Sequence, residues 1–174
     1  MSEIQLATTR LNLQPLGLKY LESTHAYASD LENTRYMVNL PSESKEETIN
    51  FLSSVDEEWN SLNQKNYDFA IILNNIHIGG ISLYIDDNNT GELGWIINKK
   101  YWKQGYATEA ARALMEYSIK ELRIKHFIAH CDSENVGSYS VMESLGMILK
   151  KKTLGRKNRA SDEIRVELEY EYIL

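Results

Sequence analysis

The chain has 174 residues, 43% of them hydrophobic and 25% charged, with a formal net charge of −6. That length and mix fit one globular domain over 1–174 with a single sizeable core, and they exclude a wholly disordered chain. The acidic balance is unsuited to binding nucleic-acid phosphates and favours cationic small molecules or basic peptides.

No apolar run approaches the roughly 18 residues of a membrane span, and Met1-Ser2-Glu3-Ile4-Gln5 has no secretory pattern. The expectation is a cytoplasmic protein with no membrane partner. Cys131 is the only cysteine, so neither an intramolecular disulfide nor a multi-thiolate zinc site can form.

Thr9 to Gln14 alternates and predicts a short strand, and Gly17 to Asp30 has helical character. Ser44 and Glu47 have capping-box spacing. Behind them Leu52, Val55, Trp59 and Leu62 recur at helical spacing. Tyr67 to Leu73, Ile76 to Ile85 and Gly91 to Asn98 predict three strands of a meander, turned at Asn74-Asn75 and at Asp86 to Asn89. Thr108 to Leu122 predicts a helix, His126 to Cys131 a strand, and Asn135 to Leu145 a helix stopped by Gly146. The last segment predicts a hairpin. Lys150, Lys151, Lys152, Arg156, Lys157 and Arg159 crowd its turn, and Ile164 to Tyr172 alternates with period two. That turn is read as a solvated one. The element order is α+β and lacks the regular alternation of a doubly wound sheet.

The most informative segment is Tyr101-Trp102-Lys103-Gln104-Gly105-Tyr106-Ala107-Thr108, which follows a strand and opens a helix. The unpaired N–H groups of a helix start, together with a glycine that lets a ligand approach the backbone, suit phosphate. Neither a Walker loop nor a three-glycine dinucleotide fingerprint is present.

One strand and one helix later stands Asn135-Val136-Gly137-Ser138-Tyr139-Ser140-Val141-Met142-Glu143-Ser144-Leu145-Gly146-Met147. It resembles the Asn-x-x-Ser-x-x-x-x-Glu-Lys-x-Gly-Phe signature of the GCN5-related N-acetyltransferase (GNAT) superfamily. Asn135, Ser138, Glu143 and Gly146 match, and Ser144 and Met147 depart. Gly105 and Ala107 resemble that family's pyrophosphate loop. Trp102, Thr9 to Leu13, Ile78 to Ile81 and Gly91 to Ile97 are similar to its RimJ/RimL branch, which acetylates ribosomal-protein N-termini. The likeness runs from about residue 7 to the end of the sequence.

The resemblance implies a mixed, mostly antiparallel, splayed sheet of about seven strands flanked by four helices. It implies acetyl-CoA in the V between two parallel central strands, and no metal. The backbone of Lys103, Gln104, Gly105, Tyr106, Ala107 and Thr108 would grip the pyrophosphate. Trp95, Ile96 and Ile97 would pair with the pantetheine arm, and Asn135 and Ser138 would anchor it.

Deprotonating the acceptor ammonium needs a carboxylate or imidazole in reach. Glu92 is the first candidate, at the family's base position, and His130 and Asp132 are the second choices. Met142 occupies the slot of the usual tyrosine acid and cannot donate. Ser138, four residues earlier and expected on the same helix face, would donate to the leaving thiolate, with Tyr139 in reserve. Tyr36, Met37, Tyr84 and His130 are candidates for the acceptor wall. His126 and His130 lie too far apart on a strand to share a metal ion.

The function implied is direct transfer of an acetyl group to a primary amine, either a protein N-terminus or a small amine, by a monomer or homodimer. A polyamine, amino-sugar or drug acetyltransferase is an alternative. A non-catalytic acyl-CoA-binding module or sensor is another.

Overall fold

Asn74 and Asn75 both adopt positive φ, 48° and 65°, the two-residue turn whose twist matches that of antiparallel strands. It joins β3 (Asn66–Leu73) to β4 (Ile76–Ile85). Asp86 Oδ1 closes the next turn by accepting from Asn88 N and Thr90 N, both at 2.9 Å, and β5 (Thr90–Ile97) completes the expected meander. The computed structural model describes residues 3–174.

Before the meander lie β1 (Leu6–Ala7), β2 (Leu11–Pro15), a 3-10 turn (Leu18–Tyr20), α1 (Leu21–Ala28) and α2 (Lys45–Trp59). After it come α3 (Tyr106–Lys120), β6 (His126–Asp132), α4 (Val136–Ser144), β7 (Ile148–Arg156) and β8 (Arg165–Ile173). The sheet has eight strands in the order β1-β2-β3-β4-β5-β6-β8-β7. The strand beyond the expected seven is β1, too short to carry an alternating signal.

Every neighbouring pair is antiparallel except β5–β6, and that parallel pair stops after Glu92↔Ile128. Beyond it β5 stays with β4 as far as Ile97, while β6 follows β8 to Asp132. The two strands therefore splay into a V. Odd-numbered β5 residues face α3, where Leu93, Phe127, Ala129, Leu114 and Ala111 form the main core. On the opposite face Ala70 and Ile72 pack under α2 with Leu16, Leu52 and Val55.

Several local expectations are corrected. Helix α2 ends at Trp59, and Leu62 is 97% exposed instead of extending the apolar face. The capping box is only half formed. Ser44 Oγ accepts from Glu47 N at 3.3 Å, but Glu47 reaches back to Glu43 N and also pairs with Arg159. Lys150, Lys151 and Lys152 lie on β7 and not in the turn. The hairpin cations are engaged as well: Arg156 with Glu167, Lys157 with Asp162, Arg159 with Glu43 and Glu47. Gly146 ends α4 at φ 83°, as expected.

Candidate active site

The mouth of the V is closed by the turn that opens α3. Lys103 and Gly105 both take left-handed φ, 60° and 80°, which bends the chain so that the helix begins at Tyr106. The first helical bond is Glu109 N to Gly105 O at 3.1 Å. The N–H groups of Tyr106, Ala107 and Thr108 therefore have no partner within the helix and point out of its positive end. Arg10 braces this turn from the start of β2. Its Nε donates to Glu109 Oε2 at 2.7 Å, its Nη1 donates to Gln104 O at 2.9 Å, and its guanidinium lies over the Tyr106 ring. Thr8 Oγ1 donates to Glu109 Oε1 at 2.6 Å.

From this turn a cleft of about 480 Å³ runs between the splayed strands. All six residues from Lys103 to Thr108 line it, as do Trp95, Ile96, Ile97, Asn135, Ser138, Tyr36 and Met37. Asn98 N donates to Ile78 O at 2.8 Å. Counting back in twos along an antiparallel pair, the main chain of Ile96, Gly94 and Glu92 bonds to β4, and that of Ile97, Trp95 and Leu93 faces the gap. Ile96 thus meets the cleft through its side chain, not its main chain. The Ile97 carbonyl already accepts from Trp102 Nε1 at 2.8 Å and from Asn33 Nδ2 at 3.0 Å. Trp95 is left as the residue whose main chain faces the gap with no strand beside it.

Asn135 caps α4, its Oδ1 accepting from Ser138 N at 3.2 Å. Ser138 lines the cleft, but Met142 does not: it is 1% exposed and belongs to the core. The expectation that the two share the cleft face is therefore corrected. Met142 sits in the slot of the usual tyrosine, yet α4 turns that slot inward at this end. Tyr139 also packs against the core.

Glu92 sits at the point where the parallel strands part, and its side chain is half exposed. Its Oε1 takes His130 Nδ1 at 2.8 Å, and Glu169 Oε2 takes His130 Nε2 at 3.2 Å. The hydrogen bond His130 donates to Glu92, and then the one it donates to Glu169, hold the imidazole pKa up at about 9 against the cost of burial. His130 is therefore imidazolium at neutral pH, which removes it as a base. Asp132 is removed too. Burial alone would raise its pKa, but the Arg165 fork, with Nη2 to Oδ1 at 2.9 Å, outweighs that and holds it low. His126 belongs to a separate pair with Glu171 at 3.1 Å, and no metal-binding cluster exists among the described residues. Burial pushes the Cys131 thiol up to about 12.

A second cavity, about 530 Å³, opens on the α1–α2 face of the same strands. The two cavities share Met37, Trp95 and Ile96. Met37 is thus placed at the meeting point and Tyr36 lines the first cavity only, whereas Tyr84, paired with Glu92 across β4–β5, lines neither, nor do Glu92 and His130. The wall formed by residues 34–40 is fastened from the far end of the chain. Asn158 Nδ2 donates to the carbonyls of Thr34, Met37 and Leu40 at 2.9, 2.6 and 3.0 Å, and Arg156 Nη2 donates to Tyr36 O at 2.9 Å.

Sequence reasoning missed Arg10, Asn33, Asp68 and Asn158. Only Asp68 had a usable signal, an acid within an otherwise apolar strand. The others act across long separations and leave no local pattern.

The family model for the "Acetyltransferase (GNAT) domain" matches residues 10–148. The Bacillus subtilis (strain 168) protein "Uncharacterized N-acetyltransferase YnaD" is 31% identical over 83% of this chain and 82% of its own. A second protein of that strain, "Uncharacterized N-acetyltransferase YjdG", is 27% identical over 89% of this chain and 96% of its own. Among solved structures, a GNAT-family acetyltransferase from Bacillus anthracis superposes with a TM-score of 0.80 at 32% identity, covering 98% of both chains. RimL, the ribosomal L7/L12 alpha-N-protein acetyltransferase in complex with coenzyme A, shares the fold with a TM-score of 0.84 at 19% identity, again covering 98% of both chains. With the splayed parallel pair and the free helix start at its mouth, these matches show that the chain belongs to the GNAT acetyltransferase family and is an N-acetyltransferase.

Proposed function

We propose that the 1–174 stretch is a single N-acetyltransferase domain that moves the acetyl group of acetyl-CoA directly to a primary amine. The observation that carries this is the meeting of two cavities at Met37, Trp95 and Ile96. One is entered past a helix start suited to phosphate, the other from the opposite face of the sheet. Donor and acceptor can therefore be present together and react without a covalent enzyme intermediate.

The residues fit the donor. Three unpaired N–H groups and Gly105, which has no side chain to block them, suit a pyrophosphate. Trp95 offers main-chain bonds to a pantetheine arm, with Asn135 and Ser138 on the facing wall. When bound, acetyl-CoA supplies the thioester. Glu92 lines neither cavity and lies about 10 Å along β5 from Trp95, so it receives the proton lost by the acceptor ammonium through ordered water, on the oxygen that His130 leaves free. The amine nitrogen then forms the new C–N bond, the C–S bond breaks, and Ser138 donates a hydrogen bond to the departing sulfur. The thiolate is a tolerable leaving group, its thiol pKa being about 8.5.

Thiol release from acetyl-CoA, measured over a panel of amines and peptides with both substrates varied, tests this. Intersecting initial-rate lines are expected. Tight acetyl-CoA binding with no release for any acceptor would make the chain a binding module instead.

A further inference from the structure

The cavity on the α1–α2 face holds polar groups with nothing to bind. Thr24 is 2% exposed and its Oγ1 has no hydrogen-bond partner. Tyr27, also buried, presents its ring and hydroxyl beside it. The main-chain carbonyl of Asp68 accepts from Leu16 N at 2.9 Å and Trp59 Nε1 at 3.1 Å, but its carboxylate has no hydrogen-bond or ion-pair partner among the described residues. The other charged groups lining the cavity are paired, Glu47 with Arg159 and Arg156 with Glu167, although the buried Arg156 Nε has no hydrogen-bond partner among the described residues. Much of the remaining wall is apolar, including Leu16, Phe51, Phe69 and Ile81. Burial, and then the nearby Glu58, pushes the Asp68 carboxyl up to about 6, as befits an anion short of a counter-charge.

Its position sets what it can bind. Asp68, Ser82 and Gly94 are in register across β3, β4 and β5. Two strand spacings put Asp68 about 10 Å from the edge of β5 where the cavities meet. An ammonium bonded to Asp68 takes up about 3 Å of that distance. It therefore cannot be the nitrogen that reacts at Trp95 and Ile96. About 7 Å remains, the reach of a four- or five-carbon chain, over a floor no bulkier than Ser82 and Gly94.

We infer that the acceptor is a primary amine carrying a second cationic group on an aliphatic spacer, in its simplest form an α,ω-diamine, with Asp68 and Thr24 holding the nitrogen that does not react. The inference rests on the acetyl-transfer reading for the fate of the other nitrogen, but the binding it describes can be measured without turnover.

Calorimetry compares 1,5-diaminopentane with n-pentylamine, which lacks only the second charge. The diamine is expected to bind at least about tenfold tighter to the wild-type protein. Asp68→Asn, which keeps the shape and removes the charge, should shrink that preference below about twofold. Equal affinities in the wild type, or an undiminished preference in Asp68→Asn, would overturn the inference. Thiol release on the same pair separates the two readings. Release with no diamine preference overturns the acceptor inference and supports acetyl transfer. Diamine-selective binding that Asp68→Asn abolishes, with no release for any amine, supports the cationic site and overturns acetyl transfer.

Discussion

Arg10 Nε and Glu109 Oε2, 99 residues apart in sequence, meet at 2.7 Å and tie the start of β2 to the first turn of α3. The same guanidinium reaches Gln104 O, so one side chain holds both sides of the turn at Gly105. Arg10→Ala should therefore weaken acetyl-CoA binding by about tenfold, because the amides lose their preset aim. Arg10→Lys should recover little, since a point charge cannot reproduce the fork. Calorimetry with CoA checks both.

Gly105 combines φ 80° with a position where an added Cβ would sit in van der Waals contact with Arg10 Nη2, at 3.4 Å. A β-branched residue there meets an unfavourable backbone conformation and covers the helix-start amides. Gly105→Val should raise the Kd for acetyl-CoA at least about tenfold. A folded variant with unchanged affinity would show that phosphate binds elsewhere.

Glu92→Gln keeps the size of the side chain and removes its capacity to accept a proton. Turnover should fall about 100-fold with cofactor affinity nearly intact. Near-normal turnover would move the base role to His130, whose main charged partner the substitution removes, to Asp132 or to a water chain.

His130 also sets a pH window. Its folded pKa, about 9, lies above its ordinary value of 6.5 because Glu92 and Glu169 bond the charged ring. The folded state therefore holds the proton more tightly than the unfolded chain. The stabilisation is full below about pH 6.5 and is lost as pH rises towards 9. Denaturant unfolding at pH 7 and pH 9.5 should show the wild type losing stability across that interval, and His130→Gln losing distinctly less.

Asn158 bridges three carbonyls of the 34–40 segment, which forms one wall of the second cavity. Asn158→Ala should raise the acceptor KM several-fold and speed amide hydrogen exchange in that segment, with acetyl-CoA affinity little changed. Unaltered exchange would show that Arg156 alone suffices to hold the wall.

What could be read from the residues follows how locally each feature is encoded. The meander was legible because Asn74-Asn75 tolerates positive φ and its strands alternate. The turn that opens α3 was legible because the strand, Gly105 and the helix start are contiguous. The second cavity was not. It is assembled from β3, α1, the 34–40 segment and Asn158, and no single stretch carries its pattern. Asp68 could have been singled out by the reasoning that singled out Glu92, an acid on an apolar strand. The inward turn of Met142 depends on how α4 lies on the sheet, which spacing alone does not determine.

The strand order β6-β8-β7 has a consequence for how the molecule comes into being. The inner partner of β6 is the later strand of the hairpin, so β6 keeps a bare edge until residues 165–173 have left the ribosome. The 34–40 wall waits on the same stretch of synthesis, because Arg156 and Asn158 must arrive before it can be pinned. The bonds by which Arg10 braces the turn at Gly105 reach no further along the chain than Glu109. During translation, then, the Arg10 brace can form long before the 34–40 wall is pinned, and the nascent chain carries an unpaired strand edge in the interval.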